Sequence, residues 1–163
     1  MKCLRILLIL TMTVGFLTAG ATGADAIGVF AEWQDSKDAN SGFGLGVGHK
    51  FQIIPIVAAE ARVSWIRYDG GLDMFPLEAL GRAKLGLFYA GAGIGYYIFS
   101  ADFAPKNTVG GFLMGGGEFT LLGLGAFAEL RYLFLEPDND DIIGGKIDMG
   151  GFGALVGVIL PFF

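Results

Sequence analysis

From residue 27 onward, apolar residues alternate with small or polar ones at a period of two, and the run Gly86 to Phe99 states the pattern most clearly. There Phe88, Ala90, Ala92, Ile94, Tyr96 and Ile98 share one parity, while Tyr89, Gly91, Gly93, Gly95 and Tyr97 share the other. A strand sends the two sets to opposite faces; a helix would scatter both around its circumference. The run is too short for a helical membrane span of about 20 residues, yet long enough for a tilted strand of about 9–11. The same period predicts strands over Ile27 to Gln34, Gly42 to Gln52, Val57 to Tyr68, Phe75 to Lys84, Phe112 to Leu121, Gly125 to Leu135 and Lys146 to Phe163. In the last of these, glycine and apolar residues occupy both parities, so its phase stays open. Polar connections (35–41, 69–73, 100–109, 136–141) alternate with tight, mostly apolar ones. The pattern predicts an all-β fold: an eight-stranded antiparallel up-and-down transmembrane β-barrel, with lipid outside and a crowded lumen inside.

The charges sort with these phases. Glu32, Glu60, Glu78, Glu118, Glu129 and Asp148 fall on the minor faces together with Lys50, Arg62, Arg82, Lys84, Arg131 and Lys146. The acids and bases cancel, as ionised groups enclosed in a narrow lumen must, because unpaired burial is strongly unfavourable. Such a network is expected to close the lumen, with Tyr89 and Tyr97 adding bulk and Glu78 compensating Arg82. The glycine rows of the second and fifth strands leave one wall bare, so a narrow pore for ions or small solutes is the alternative. Aromatic residues sort as well. Trp33, Trp65, Tyr96, Tyr97, Tyr132 and Phe134 end odd-numbered strands, and Phe43, Phe75 and Phe112 begin even-numbered ones. They predict an aromatic girdle at the level of the polar connections, with Phe51, Phe119, Phe162 and Phe163 at the opposite interface.

Composition narrows the function classes. The chain is 53% hydrophobic and carries 28 glycines, and its net charge of −5 argues against nucleic-acid binding, which wants a basic stripe. Residues 1–26 read as a cleavable signal peptide. Lys2 and Arg5 precede an apolar stretch from Ile6 to Leu17, and two A-x-A sites follow at 19–21 and 24–26. Cutting after Ala26 leaves 27–163 as one barrel domain; cutting after Ala21 is the other option. The single cysteine, Cys3, lies in the removed segment, so no disulfide, thiolate nucleophile or sulfur metal site is expected. The single histidine, His49, sits on the lipid-facing parity near a short turn with no serine beside it, and reads as an interfacial residue. Asp138, Asp140 and Asp141 lack the spaced glycine and final glutamate of a calcium loop. No catalytic residue, metal or cofactor is therefore expected. Twelve strand charges are too few to coat a soluble lipid-binding barrel, and glutamates interrupt nearly every candidate helical span.

Three segments, FYAGAGIGYYIF at 88–99, GAFAELRYLFL at 125–135 and GFGALVGVILPFF at 151–163, resemble the small bacterial outer-membrane β-barrels, the OmpA-type barrel domain and its OmpX-like relatives. The resemblance spans residues 27–163 and is one of pattern, with Pro161 departing from the usual aromatic-rich last strand. It implies export to the outer membrane of a Gram-negative-type cell, periplasmic termini and extracellular loops. It also implies a C-terminal assembly signal ending in Phe163 that the barrel-assembly machinery reads. The expected partners are outer-membrane lipids and that machinery, with the barrel a monomer and any extracellular partner unidentified. The expected role is structural and surface-interacting rather than enzymatic.

Overall fold

The computed structural model describes residues 26–101, 105–121, 124–138 and 146–161. The predicted signal peptide up to residue 25, Asp140 and Asp141, and the terminal Phe162 and Phe163 lie outside these residues. Eight strands form: β1 (Ala26–Ser36), β2 (Asn40–Ile54), β3 (Val57–Tyr68), β4 (Asp73–Leu85), β5 (Phe88–Ser100), β6 (Thr108–Leu121), β7 (Leu124–Phe134) and β8 (Gly151–Pro161). Each pairs antiparallel with its neighbour in sequence, and β8 pairs with β1 from Ala26↔Pro161 to Ser36↔Gly151, closing the sheet into a barrel. Closure leaves no unpaired sheet edge, which hydrocarbon would penalise.

The two faces follow the predicted parities. The exterior is apolar: Phe43, Leu45, Leu113, Leu130, Val156 and Phe152 all stand exposed on it, Leu130 at 69%. The lumen takes the opposite set, including Glu32, Glu60, Arg62, Glu78, Arg82, Glu118, Glu129 and Arg131, each buried. The open phase of the last strand resolves with Gly151, Gly153, Leu155, Gly157 and Ile159 inward and Phe152, Ala154, Val156, Val158 and Leu160 outward.

Several boundaries differ from the sequence reading. β4 and β6 begin earlier, at Asp73 and Thr108, and β8 begins later, at Gly151. Pro76 sits inside β4, where the alternation gave no warning of a gap. The β3–β4 ladder breaks between Val63↔Leu77 and Ile66↔Met74, although the register is unchanged on either side. Proline has no N–H to give; on its other side Pro76 still aligns with Tyr97 of β5. Two-residue turns at 55–56 and 86–87 mark the short-turn end, and Gly86 there adopts φ +63°, a conformation that suits glycine.

The four connections at the other end are unequal. The link between β1 and β2 spans only 37–39, whereas the connection from β7 to β8 runs over 135–150, of which 135–138 and 146–150 are described. Its two arms continue the β7–β8 ladder through an Asp138↔Lys146 bridge, with Met149 N donating to Leu135 O at 2.9 Å. Lys37 N and Asp38 N then donate to Gly150 O and Asp148 O, tying the long connection to the β1–β2 link. Beneath it, Leu135 and Met149 join Ile66, Tyr68, Met74, Phe99 and Leu133 in a buried apolar cap across the lumen. The cap was not expected, because the lumen parity was read from its charges, glycines and tyrosines.

Candidate functional site: the charged lumen

The candidate site is the file of side chains that β1–β7 send inward. Ten of the twelve predicted lumen charges form two hydrogen-bonded and ion-paired groups. In the first, Arg62 of β3 donates Nη1 and Nη2 to the two carboxylate oxygens of Glu129 on β7, at 2.7 and 2.9 Å. Its Nε donates to Glu60 at 2.8 Å. Glu60 in turn lies 3.7 Å from Arg82, and Arg82 donates to Glu118 Oε2 at 2.6 Å. Glu118 Oε1 also receives Lys50 and Lys84, both at 3.1 Å. In the second group, Arg131 donates to both oxygens of Glu78, at 3.1 and 3.2 Å, and to Gln34 Oε1 at 3.1 Å. Its Nη2 lies 3.0 Å from Glu32.

Geometry explains why these groups meet. β3 and β7 stand four strands apart in a ring of eight, as do β2 and β6. The Arg62–Glu129 and Lys50–Glu118 pairs therefore reach across the full width of the lumen. An eight-stranded barrel is narrow enough for side chains to fill its interior. The bidentate fork matches guanidinium to carboxylate geometrically, and the low dielectric around it strengthens the contact. Tyrosines complete the network: Tyr89 donates to Glu129 at 3.0 Å and Tyr97 to Glu78 at 3.1 Å. Arg82 also lies over the Tyr89 ring, 4.6 Å from its centre.

Four sequence expectations are corrected here. Lys146 and Asp148 are not lumen charges: both precede β8, where Lys146 lies 3.8 Å from Glu136 and Asp148 accepts from Lys37 at 2.6 Å. Glu78 is not the partner of Arg82, whose carboxylates are Glu118 and Glu60. Phe112 and Tyr97 do not join the outer girdle but are buried inside. The glycine rows do not leave a bare wall either. Phe30 lies against Gly46, Phe112 against Gly93, Tyr89 against Gly116 and Phe127 against Gly157, each opposite its cross-strand partner. The missing Cβ is the space the ring occupies, the aromatic covering of strand glycines known from sheet design.

The structure places Trp33, Trp65, Tyr96, Tyr132 and Phe134 on the exterior near the long-connection end. Tyr132 packs edge-on against Phe134 and against Phe152, with ring centres 4.9 Å apart in each case. Phe152 was missed because the phase of its strand was open. Trp65 Nε1 donates to Asp73 Oδ1 at 3.1 Å, so its polar edge is satisfied at the rim. His49 keeps the exterior parity but is buried there, stacked on Phe51 at 4.2 Å between ring centres. Gln34 and Phe30 are lumen residues that charge counting passed over; their inward parity was the available signal. Among the described residues no group of histidine, cysteine and carboxylate side chains has the arrangement of a metal site.

Outside the barrel wall, Lys37 and Asp148 form an ion pair between two connections, 2.6 Å apart. The Lys37 ammonium, hydrogen-bonded to Asp148, holds that carboxyl below its ordinary range and is itself raised by the same bond.

No protein-family model matches the chain, nor does any curated protein. Solved structures do. Neisserial surface protein A aligns with a TM-score of 0.67 at 14% identity, over 88% of this chain and 99% of that one. The N-terminal β-barrel domain of Pseudomonas aeruginosa OprF aligns at 0.52 and 14% identity, over 86% and 100%. The Yersinia pestis outer membrane protein Ail aligns at 0.51 and 13% identity, over 85% and 99%. At these identities the likeness is one of fold. The chain has the fold of the small outer-membrane barrels: eight antiparallel transmembrane strands, closed first to last.

Proposed function

We propose that this protein is an outer-membrane barrel with a structural and surface-interaction role, its lumen closed by the charge-paired network and its apolar cap. The Arg62–Glu129 pair carries this reading. It joins opposite walls of the barrel with both side chains almost wholly enclosed, 1% and 0% exposed. The apolar exterior and its aromatic rim support placement in lipid, since charge on a lipid-facing strand is strongly unfavourable. The likeness to a named surface protein supports the location. Outer-membrane lipids and the barrel-assembly machinery are the partners this reading supplies. The termini then lie on the periplasmic side and the 135–150 connection outside.

Conductance of the refolded barrel in a planar bilayer, run beside heat-modifiable gel migration, tests the proposal. A boiling-dependent shift without steady conductance is the expected result. Discrete, reproducible current steps would instead establish the narrow pore, with the same charges acting as its filter.

A further inference from the structure

We propose that the short-turn end of the barrel is itself a lipid-binding surface. Its turns at 55–56 and 86–87 sit among phospholipid chains at the bilayer boundary rather than in water. Ile54, Ile56, Leu85, Leu87, Phe88 and Leu124 stand exposed there, Leu85 at 84%. Neither turn carries a charge, whereas the connections at the other end carry Lys37, Asp69 and Glu136. From Trp65 down to Ile56 on β3, and from Tyr96 down to Leu87 along β5, every outward position is also uncharged. The turns thus continue the lipid-facing wall without a break, and a contiguous apolar patch of this kind marks a binding surface. Length agrees. Nine residues separate Trp65 from Ile56, and nine separate Tyr96 from Leu87. At about 3.4 Å per residue and a tilt of about 35–45°, such a stretch descends roughly 22–25 Å, the height of the apolar band of about 25 Å. With the aromatic rim at one interface, both turns end at the other.

The turn backbones suit that place, because lipid chains offer no donor to an open carbonyl. Gln52 Nε2 donates to Ile54 O, and to Val57 O at 3.2 Å. Lys84 N donates to Ile56 O and Glu118 N to Leu87 O, both at 2.8 Å. Pro55 brings no N–H that would need an acceptor. In water the solvent would serve these carbonyls equally well; in lipid the bonds are required. The short connections follow β2, β4 and β6, so they are spaced around the ring rather than gathered on one side. That distribution fits a surrounding lipid leaflet better than one docked protein. The inference rests on the strands spanning a membrane, which the test below checks separately.

The test places one nitroxide label at Ile56→Cys or Leu87→Cys, each in a Cys3→Ser chain refolded into phospholipid bilayers and checked by heat-modifiable migration. Collision of the label with oxygen and with a water-soluble nickel chelate is then measured. Leu130→Cys on the middle of the wall and Asp69→Cys in a connection at the other end are the references. Both turn labels are expected to favour oxygen over nickel several-fold more than the Asp69→Cys label does. The two turn sites are read independently, so if one variant fails to fold the other decides. Turn labels that match Asp69→Cys, while Leu130→Cys favours oxygen, would overturn this inference and leave the membrane barrel standing. A Leu130→Cys label open to nickel would overturn both. Turn labels open to nickel in pure lipid but shielded in isolated outer membranes would assign the surface to a protein partner and reject lipid as its occupant.

Discussion

Arg62 and Glu129 are 67 residues apart in the chain and meet as a two-pronged ion pair across the width of the barrel. Each is held further by neighbours on its own side, Arg62 by Glu60 and Glu129 by Tyr89. Removing Arg62 would leave the Glu129 carboxylate charged and buried, with Tyr89 donating to it but its guanidinium partner gone. Arg62→Gln is therefore expected to destabilise the barrel by about 3–5 kcal/mol. Adding Glu129→Gln should recover part of that loss. Urea unfolding of the refolded proteins in bilayers measures both; single variants with the wild-type midpoint would refute the pairing.

The two carboxylates around Arg131 are not equivalent. Glu78 accepts hydrogen bonds from Arg131 and Tyr97. Glu32 lies within ion-pair distance of Arg131 but lacks the hydrogen-bond geometry to it that Glu78 has. Glu78→Gln should consequently lower the unfolding midpoint clearly more than Glu32→Gln does, since it removes the charge and one of the two oxygens that Arg131 and Tyr97 share. Equal shifts would mean that Arg131 treats both acids alike.

Glycine 93 faces the Phe112 ring, and a Cβ added there would also lie 2.8 Å from the Cβ of Leu80. Gly93→Ala should therefore be unfavourable by about 1–3 kcal/mol through overpacking. Glycine 81 has open space around the same added atom, so Gly81→Ala serves as the control with little effect. A matched pair of denaturation curves distinguishes the two; similar midpoints would show that the Phe112 ring moves aside freely.

The Lys37–Asp148 pair is the titratable tie of the long connection. Asp148 is depressed by its bond to Lys37, so its contribution is full above the unfolded carboxyl value of about 3.9 and disappears as pH falls through the lower folded value. Lys37 is raised, so its share is full below about 10.4 and fades only as pH climbs through a still higher value. The tie is thus constant across neutral pH and fails in acid. A 13C titration of the Asp148 carboxyl should give a midpoint below 3.9 that moves upward in Lys37→Met. A midpoint at the ordinary value in the wild type would contradict the contact.

Much of this arrangement was readable before the fold was known, because a period of two assigns each residue to one face. That is why Glu60, Arg62, Glu118 and Glu129 could be named as lumen residues. Their pairing could not be read. Whether Arg82 turns to Glu78 on its own strand or to Glu118 two strands away depends on barrel closure and stagger, which the alternation does not encode. The cap of Ile66, Tyr68, Met74, Leu133 and Met149 was hidden for a different reason. These residues have lumen parity but no charge, so a search for paired ions passes over them. Lys146 and Asp148 were misplaced because glycines on both parities erased the start of the last strand.

Seven of the barrel's eight seams join strands that are neighbours in sequence, and only the β1–β8 seam joins the chain's two extremes. Ala26 and Pro161 are direct partners across that seam, so a short linker would bridge them without disturbing the ring. The wall has no intrinsic beginning. A circular permutant opened at the Gly86–Leu87 turn would keep every strand pair, while moving the slow, long-range closure from β1–β8 to β4–β5.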